Sequence, residues 1–477
     1  MAEYQSEFTQ LIQLINTSAH TVAQGYSDAG LPHPSANDGT PPLSAHTAAQ
    51  AATHQASLTL VAACRQIIAS VMVPTTYVHE IAMAFHYSVA IRVAIEAHVA
   101  EALRDAGDKG LHVNEIAKYS NINPEKLARM LRILAIHHIF KEVTPNVFAN
   151  NRASLTFDKG KDAKTLAATD PAEWYEGSNG YAALFTLAGE DGMKSSVHLP
   201  DILQDPKVAN SYDPMDTATV KAVGQGYWDY LSAAGNETKL RRFNTAMIGS
   251  QILISAGDRL LDCINWGELP SGSVCVDIGG GVGTQSMLIR NEHPHLKMIV
   301  QDTASLEKQA KQFWASVDPG AIPSGRVEWS INDYLGPQPV KDAAPEDSHR
   351  HNLSDEKAVQ LLRRVRDACS PASKVILADH LIPFACPTPP NSETASLVKK
   401  PDVPAPLLNN MGVSRGYLLD IFMMSLYNAQ ERTIEQWNSV VTKADFKIDY
   451  IAGNEGAIVY IVLSPTPPGE RTPLCKF

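Results

Sequence analysis

Cysteine is scarce in this 477-residue chain, with six residues at positions 64, 263, 275, 369, 386 and 475. No two form a Cys-x-x-Cys pair. Neither a metal site nor a disulfide framework is therefore expected, and a reducing compartment fits. Long basic runs are missing too, and the net charge is −11. Nucleic acid is not an expected partner of such a chain. No apolar run reaches the roughly 18 residues that a membrane helix needs. The opening residues, Met1-Ala-Glu-Tyr-Gln-Ser-Glu7, place no basic segment before an apolar stretch, so no secretory leader is expected. Cys475 has only two residues after it and cannot head a prenylation box. These absences predict a soluble cytoplasmic protein with no membrane partner.

What the chain does have is length for two or three domains and a 44 % hydrophobic fraction, enough for a large core. Residues 4–25 put Phe8, Leu11, Ile12 and Ile15 on one helical face. Residues 26–46 are rich in Pro, Gly, Ser and Asp and read as a linker. Helix is expected again over 48–72, ending before Pro74, and over 77–106. Two short helices follow in 111–136, the second opened by Asn123 and Pro124. Ile139–Val143 and Val147–Ala149, around a turn at Pro145-Asn146, predict a hairpin. Helix, turn, helix and hairpin make a winged-helix pattern. Its second helix carries only Lys126, Arg129 and Arg132 as bases, so dimerisation is expected rather than DNA binding.

From residue 271 onward strand and helix patterns alternate, the mark of an α/β unit with a mostly parallel sheet. Expected strands are Val274–Ile278, Met298–Gln301, Val327–Ile331, Lys374–Ala378, Phe446–Ala452 and Ala457–Leu463. The division anticipated is 1–47 as helix and linker, 48–240 as a helical winged-helix domain, and 241–477 as the α/β domain. Residues 384–408 read as an inserted surface loop.

The stretch that organises the rest is Val274-Cys-Val-Asp277-Ile-Gly279-Gly-Gly281-Val-Gly283-Thr284. An apolar run ends in an acid and turns through four glycines in five positions. Glycine permits positive φ and close backbone approach to a ligand, and a helix start favours electron-rich groups. A second apolar run ends at Asp302, 23 residues after Gly279. In doubly wound folds an acid so placed binds ribose hydroxyls. A nicotinamide fingerprint would have glycine or alanine where Thr284 stands, and it does not account for Asp277.

Asp277-x-Gly-x-Gly-x-Gly283 resembles the first motif of S-adenosylmethionine (SAM) methyltransferases. In order along the chain come Asn332-Asp-Tyr-Leu335, His351-Asn-Leu-Ser-Asp-Glu356, Ile376–Pro383 and Glu431-Arg-Thr433. With the winged-helix region, they make residues 60–465 similar to fungal small-molecule O-methyltransferases, relatives of the plant phenolic (caffeate-type) enzymes. The resemblance implies a Rossmann-like SAM domain, an N-terminal dimerisation domain and a homodimer. It implies a phenolic or other hydroxylated small-molecule substrate of secondary metabolism. It implies Asp277, Gly279, Gly281, Asp302, Asp333 and Tyr334 as cofactor contacts. Phe243, Met247, Met423 and Met424 would line the substrate side, although a Met pair on a helix more often fills core. Trp228 is expected in the core. His351 falls at the family's general base, with Asp379 and Glu431 as flanking acids. Bland readings exist for each acid: a helix or loop cap for Asp379, a helix-start surface acid for Glu431, a strand-end turn acid for Asp333.

One segment departs from the pattern. The strand before the base should be a buried apolar run, but Ala343-Ala-Pro-Glu-Asp-Ser-His-Arg350 stands there. Pro345 would delete a ladder donor. A locally broken sheet is therefore expected, and His349 becomes a second candidate base. Slow or absent methyl transfer, or a non-methylating reaction that keeps SAM, is an alternative on the same ground. A non-catalytic dimeric binding protein is another.

Overall fold

The computed structural model describes residues 6–33, 35–37, 48–255, 260–348, 353–386, 394, 396, 397, 403–408, 414–453 and 458–467, with backbone alone at 48–51, 254, 255, 305 and 344–348. The chain divides into two units. The first comprises Met1–Ser211, Met215–Ala256 and Val403–Gly412; the second comprises Tyr212–Pro214, Gly257–Asp402 and Val413–Phe477.

In the first unit the helices Glu7–Asp28 and Ala48–Val71 pack on each other, close to where the apolar spacing puts them. Ser6 caps the first by accepting the Thr9 N–H. The long run expected over 77–106 is instead broken into Pro74–Ala82, Phe85–Glu96 and Val99–Leu103. His98 makes the second break, with left-handed backbone at φ 56. Its buried ring lies edge-on to Trp174 at 4.7 Å. Burial, and then the charge of Lys159, push its pKa down to about 4.

The winged-helix segment forms as expected. Strand β1 (Leu111–His112) pairs with β3 (Val147–Ala149), which pairs with β2 (Lys141–Thr144). Asn123 accepts the N–H groups of Glu125 and Lys126 at the start of helix Pro124–Ala135. Arg132, one of its three bases, is bound to Glu142 at 2.8 Å. Behind this segment lies an ion pair with no side-chain exposure on either partner: Lys159 Nζ stands 2.8 Å from Glu101 Oε1. The ammonium also donates to the Ile95 carbonyl at 2.9 Å.

The second unit is built on one seven-stranded sheet. Its strands are β4 (Val274–Ile278), β5 (Lys297–Asp302), β6 (Val327–Ile331), β7 (Ala344–Ser348), β8 (Val375–Asp379), β9 (Phe446–Ala452) and β10 (Val459–Pro465). The order is β6-β5-β4-β7-β8-β10-β9. Only β10 runs antiparallel to its two neighbours. The strand direction alternates where the sequence gives two consecutive strands at the edge, 446–452 and 459–465. The chain reverses between β5–β4 on one side and β7 on the other, which places the topological switch point at the carboxyl end of β4.

The sheet is not broken at 343–350. β7 sits between β4 and β8, pairing Cys275 with Ala344, Ile278 with Asp347, and Ser348 with Ala378. The expectation drawn from its composition is thus overturned. Two finished neighbours impose extended backbone on five residues that would not choose it alone, and Pro345 costs one donor rather than the strand. A core of Val276, Ile278, Ala343, Leu361, Val365, Val375, Leu377, Trp437 and Ile461 packs on one face.

Removing one partner of a buried ion pair leaves an uncompensated charge. Glu101→Ala should therefore lower unfolding free energy by about 3–5 kcal/mol, measured by denaturant titration. A loss under about 1 kcal/mol, the range of an exposed pair, would mean that Lys159 reaches solvent.

Candidate active site

The turn after β4 is shaped by the Asp277 carboxylate. Asp277 is the penultimate residue of β4 and fully buried, and Ser286 Oγ donates to its Oδ2 at 2.7 Å. A Cβ on Gly280 would stand 2.3 Å from that carboxylate carbon, so no side chain fits. The N–H groups of Gly279 and Gly280 both donate to the Gln301 carbonyl, at 2.7 and 3.2 Å. Gly281 N–H donates to Asp302 Oδ2 at 2.9 Å, and Trp329 Nε1 to the Gly281 carbonyl at 3.1 Å. Gly279, Gly281 and Gly283 all have positive φ. Gly283 is constrained twice over: at φ 95, an added Cβ would also lie 2.9 Å from Trp314 Nε1. Helix Thr284–Glu292 starts immediately after it.

Asp302 ends β5 and also accepts the Thr303 N–H at 2.6 Å. The loop after β6 is tied to the same place, with Asn332 N–H donating to the Asp302 carbonyl at 3.1 Å. Beneath lies an amide network that sequence reasoning missed. Gln301 Nε2 donates to Gln338 Oε1 at 3.0 Å, and Gln338 Nε2 returns a bond to Gln301 Oε1 at 2.8 Å. Asn332 Nδ2 donates to the same Gln301 oxygen at 3.0 Å. No pattern in the sequence marks these three amides, because each pairing is made by the fold. Asp333 is exposed and makes a turn, accepting the Leu335 N–H at 3.0 Å; Tyr334 packs partly buried against the core. Asp277, Gly279, Gly281, Asp302, Asp333 and Tyr334 thus gather at the carboxyl ends of three adjacent strands.

A second cluster forms beyond β8. Asp379, the last residue of β8, is buried and accepts the His380 N–H at 2.7 Å. The next residues meet the Glu431 segment: Leu381 bridges Arg432, and Ile382 N–H donates to the Arg432 carbonyl at 3.1 Å. Glu431 is buried, not a surface acid. Its N–H donates to Asp420 Oδ1 at 2.8 Å. Burial foremost, with the nearby Glu431 charge, raises the Asp420 pKa. Thr433 and Gln436 cap helix Ile434–Lys443 reciprocally, the capping box that the sequence shows. Met423 is buried and Met424 half-buried on helix Arg415–Tyr427. His349 and His351 lie outside the described residues.

Phe243 and Met247 belong to the first unit, on helix Glu237–Ser255. Phe243 is buried, and Met247 is partly exposed. Trp228 is not core, as expected from its size, but 50 % exposed, its ring edge-on to Phe243 at 5.3 Å. Neighbouring Tyr227 takes the buried place, donating to Asp191 Oδ2 at 3.1 Å.

Residues 204–402 match the family model of the O-methyltransferase domain, and residues 79–159 match the O-methyltransferase dimerisation domain. A 4-O-methyltransferase 1 of Phanerochaete chrysosporium is 31 % identical over 450 residues, covering 93 % of this chain and 95 % of that one. The chain belongs to the O-methyltransferase family. A second relative in that fungus, 3-O-methyltransferase 2, is 30 % identical over 93 % of this chain and 94 % of its own. In fold, the O-methyltransferase resembles the solved mitomycin 7-O-methyltransferase (TM-score 0.60, 18 % identity, 82 % of this chain and 98 % of that one). It also resembles LepI in complex with SAM (TM-score 0.64, 20 % identity, 85 % of this chain and 93 % of that one).

This enzyme is a SAM-dependent O-methyltransferase, and the cofactor fits what the turn offers. Space is kept free of side chains around Gly281, which has no atom within 4 Å of an added Cβ. A helix starts directly after the turn, and an acid stands at the end of β5 and one residue before the end of β4. Among the described residues no helix is long and apolar enough to cross a membrane, and no group of His, Cys, Asp and Glu could hold a metal ion.

The glycine geometry is testable. Gly283→Ala forces an L side chain into positive φ against Trp314 and should weaken SAM binding by about tenfold or more, each factor of ten being roughly 1.4 kcal/mol. Calorimetric affinity equal to the parent's would show that the turn can relax.

Proposed function

We propose that the enzyme methylates a hydroxyl of a phenolic or other aromatic small metabolite, with His351 as general base and Asp379 and Glu431 as its flanking acids. The observation that carries this reading is the pairing of Leu381 with Arg432, which draws two buried carboxylates, Asp379 and Glu431, to one end of the sheet. Burying a carboxylate is costly even when it is hydrogen-bonded, and orienting a base is a reason to bury two at one place. An acid bonded to one imidazole nitrogen fixes the tautomer and stabilises the imidazolium. Asp277, Gly279, Gly281, Asp302, Asp333 and Tyr334 are assigned to the cofactor. Phe243, Met247, Met423 and Met424 are assigned to the substrate.

SAM supplies an electrophilic methyl group on a sulfonium. What the chain must add is position and a proton acceptor. A phenol has pKa about 10 and is mostly protonated at neutrality, so a base that titrates near pH 7 is suited to take its proton. Asp302 would hold the ribose diol, as acids at that strand end do. In this reading residues 48–240 serve dimerisation, 241–477 catalysis, and the enzyme works as a cytoplasmic homodimer. The continuous sheet through β7 removes the ground for expecting impaired transfer.

His351→Ala should lower kcat by roughly 10²–10⁴ and leave SAM affinity unchanged, measured with a panel of phenols. Full rate in that variant with loss in His349→Ala would move the base by two residues. Asp302→Ala should instead weaken SAM binding by about one to two orders of magnitude, the worth of a charge-assisted contact. An unaltered calorimetric isotherm would remove Asp302 from the cofactor site.

A further inference from the structure

Arg432 is an arginine with no exposed side-chain surface, 0 %. Such burial is rare unless the guanidinium is fully engaged. Its Nε donates to Asp355 Oδ1 at 2.9 Å, and an Nη donates to the Leu353 carbonyl at 2.7 Å. Its plane lies over the Trp437 ring, 4.9 Å from the centroid. Gln430 Nε2 reinforces the same Asp355 oxygen at 2.8 Å. The backbone of Arg432 is bound as firmly as its side chain, bridging Leu381 and accepting from Ile382. One residue therefore ties together the exit of β8, the acid Glu431 and the first residues before helix Asp355–Arg366.

We infer that Arg432 is a positioning residue for methyl transfer: it fixes the segment entering helix Asp355–Arg366 against the exit of β8 and so sets the distance between the groups carried on either side. The inference rests on the assignment of the transfer step to this end of the sheet. A planar fork suits the site, because its Nε and Nη meet acceptors on two residues from separate atoms in fixed geometry; lysine would have to reach both from one nitrogen on a flexible stem. Its contacts lie apart from the glycine turn and from Asp302, so the cofactor loops do not depend on it. Position rather than charge is what it supplies, and a misplacement of about 1 Å can cost on the order of a hundredfold in rate.

The experiment compares full-length Arg432→Lys, Asp355→Ala and Asp355→Asn, reading kcat, KM for the phenol, SAM affinity by calorimetry and the unfolding midpoint. Asp355 is 45 % exposed, so its variants should fold even if Arg432→Lys does not. Expected are a kcat lower by about a hundredfold in Arg432→Lys and about tenfold in Asp355→Ala, with SAM affinity within about twofold of the parent. Asp355→Asn keeps an acceptor oxygen and should recover most of the rate. The inference fails if Asp355→Ala turns over at the parental rate, if Asn does no better than Ala, or if rate falls only in step with SAM affinity. Failure of the base assignment would show separately, as full activity in His351→Ala, and would leave the comparison of Asp355→Ala with Asp355→Asn standing.

Discussion

A carboxylate buried at the end of β4 dictates the chain around it. Asp277 lies against the backbone of Gly280 so closely that no Cβ can be added there. That crowding forces the turn to be glycine, and the turn hands its N–H groups to the Gln301 carbonyl and the Asp302 carboxylate. The ends of β4 and β5 are thereby locked to each other at the switch point of the sheet, where α/β folds bind ligands. Ser286 closes the arrangement from the following helix. Gly279, Gly281 and Asp302 are referred, directly or through one bond, to this carboxylate and the strand beside it.

Much of this was legible because burial leaves a period in sequence. Strands with an apolar pattern, a run in Val274–Ile278 and an alternation in Val327–Ile331, coincide with their expected limits. Helix Pro124–Ala135 announces its own start with Asn123 and Pro124. The seven-stranded sheet escapes such reading at one strand. Ala344–Ser348 has no apolar pattern, and its extension is imposed by β4 and β8, which are distant in sequence. The break at His98 was invisible for a related reason: helical spacing continues across it, while a left-handed residue interrupts the backbone.

Charges were the other blind spot. Composition places lysine and arginine at the surface, yet Lys159 and Arg432 are wholly enclosed. Nothing local distinguishes them, since Glu101 and Asp355 are 58 and 77 residues away from their respective partners. Glu431 shows the limit from the opposite direction. Its neighbour Thr433 begins a helix, so a solvent-facing acid was a reasonable reading, but the Leu381 pairing draws the segment inward. Trp228 and Tyr227 exchange roles in the same manner, the smaller ring being buried because its hydroxyl has Asp191 to reach.

The amide network under the cofactor loops has a consequence for how this enzyme tolerates change. Gln301 bonds through its backbone to the glycine turn and through its side chain to Asn332 and Gln338. The loops after β4 and β6 therefore share one fastening, on the strand β5 between them. Free-energy effects of substitutions in those loops will not add, because residues within one hydrogen-bond network are coupled. An alteration that is harmless in the glycine turn alone can become severe once Asn332 is also changed, and the reverse order would give the same dependence. Sequence variation among these loops is then constrained to move in concert, with Gln301 as the position through which each change is felt by the others.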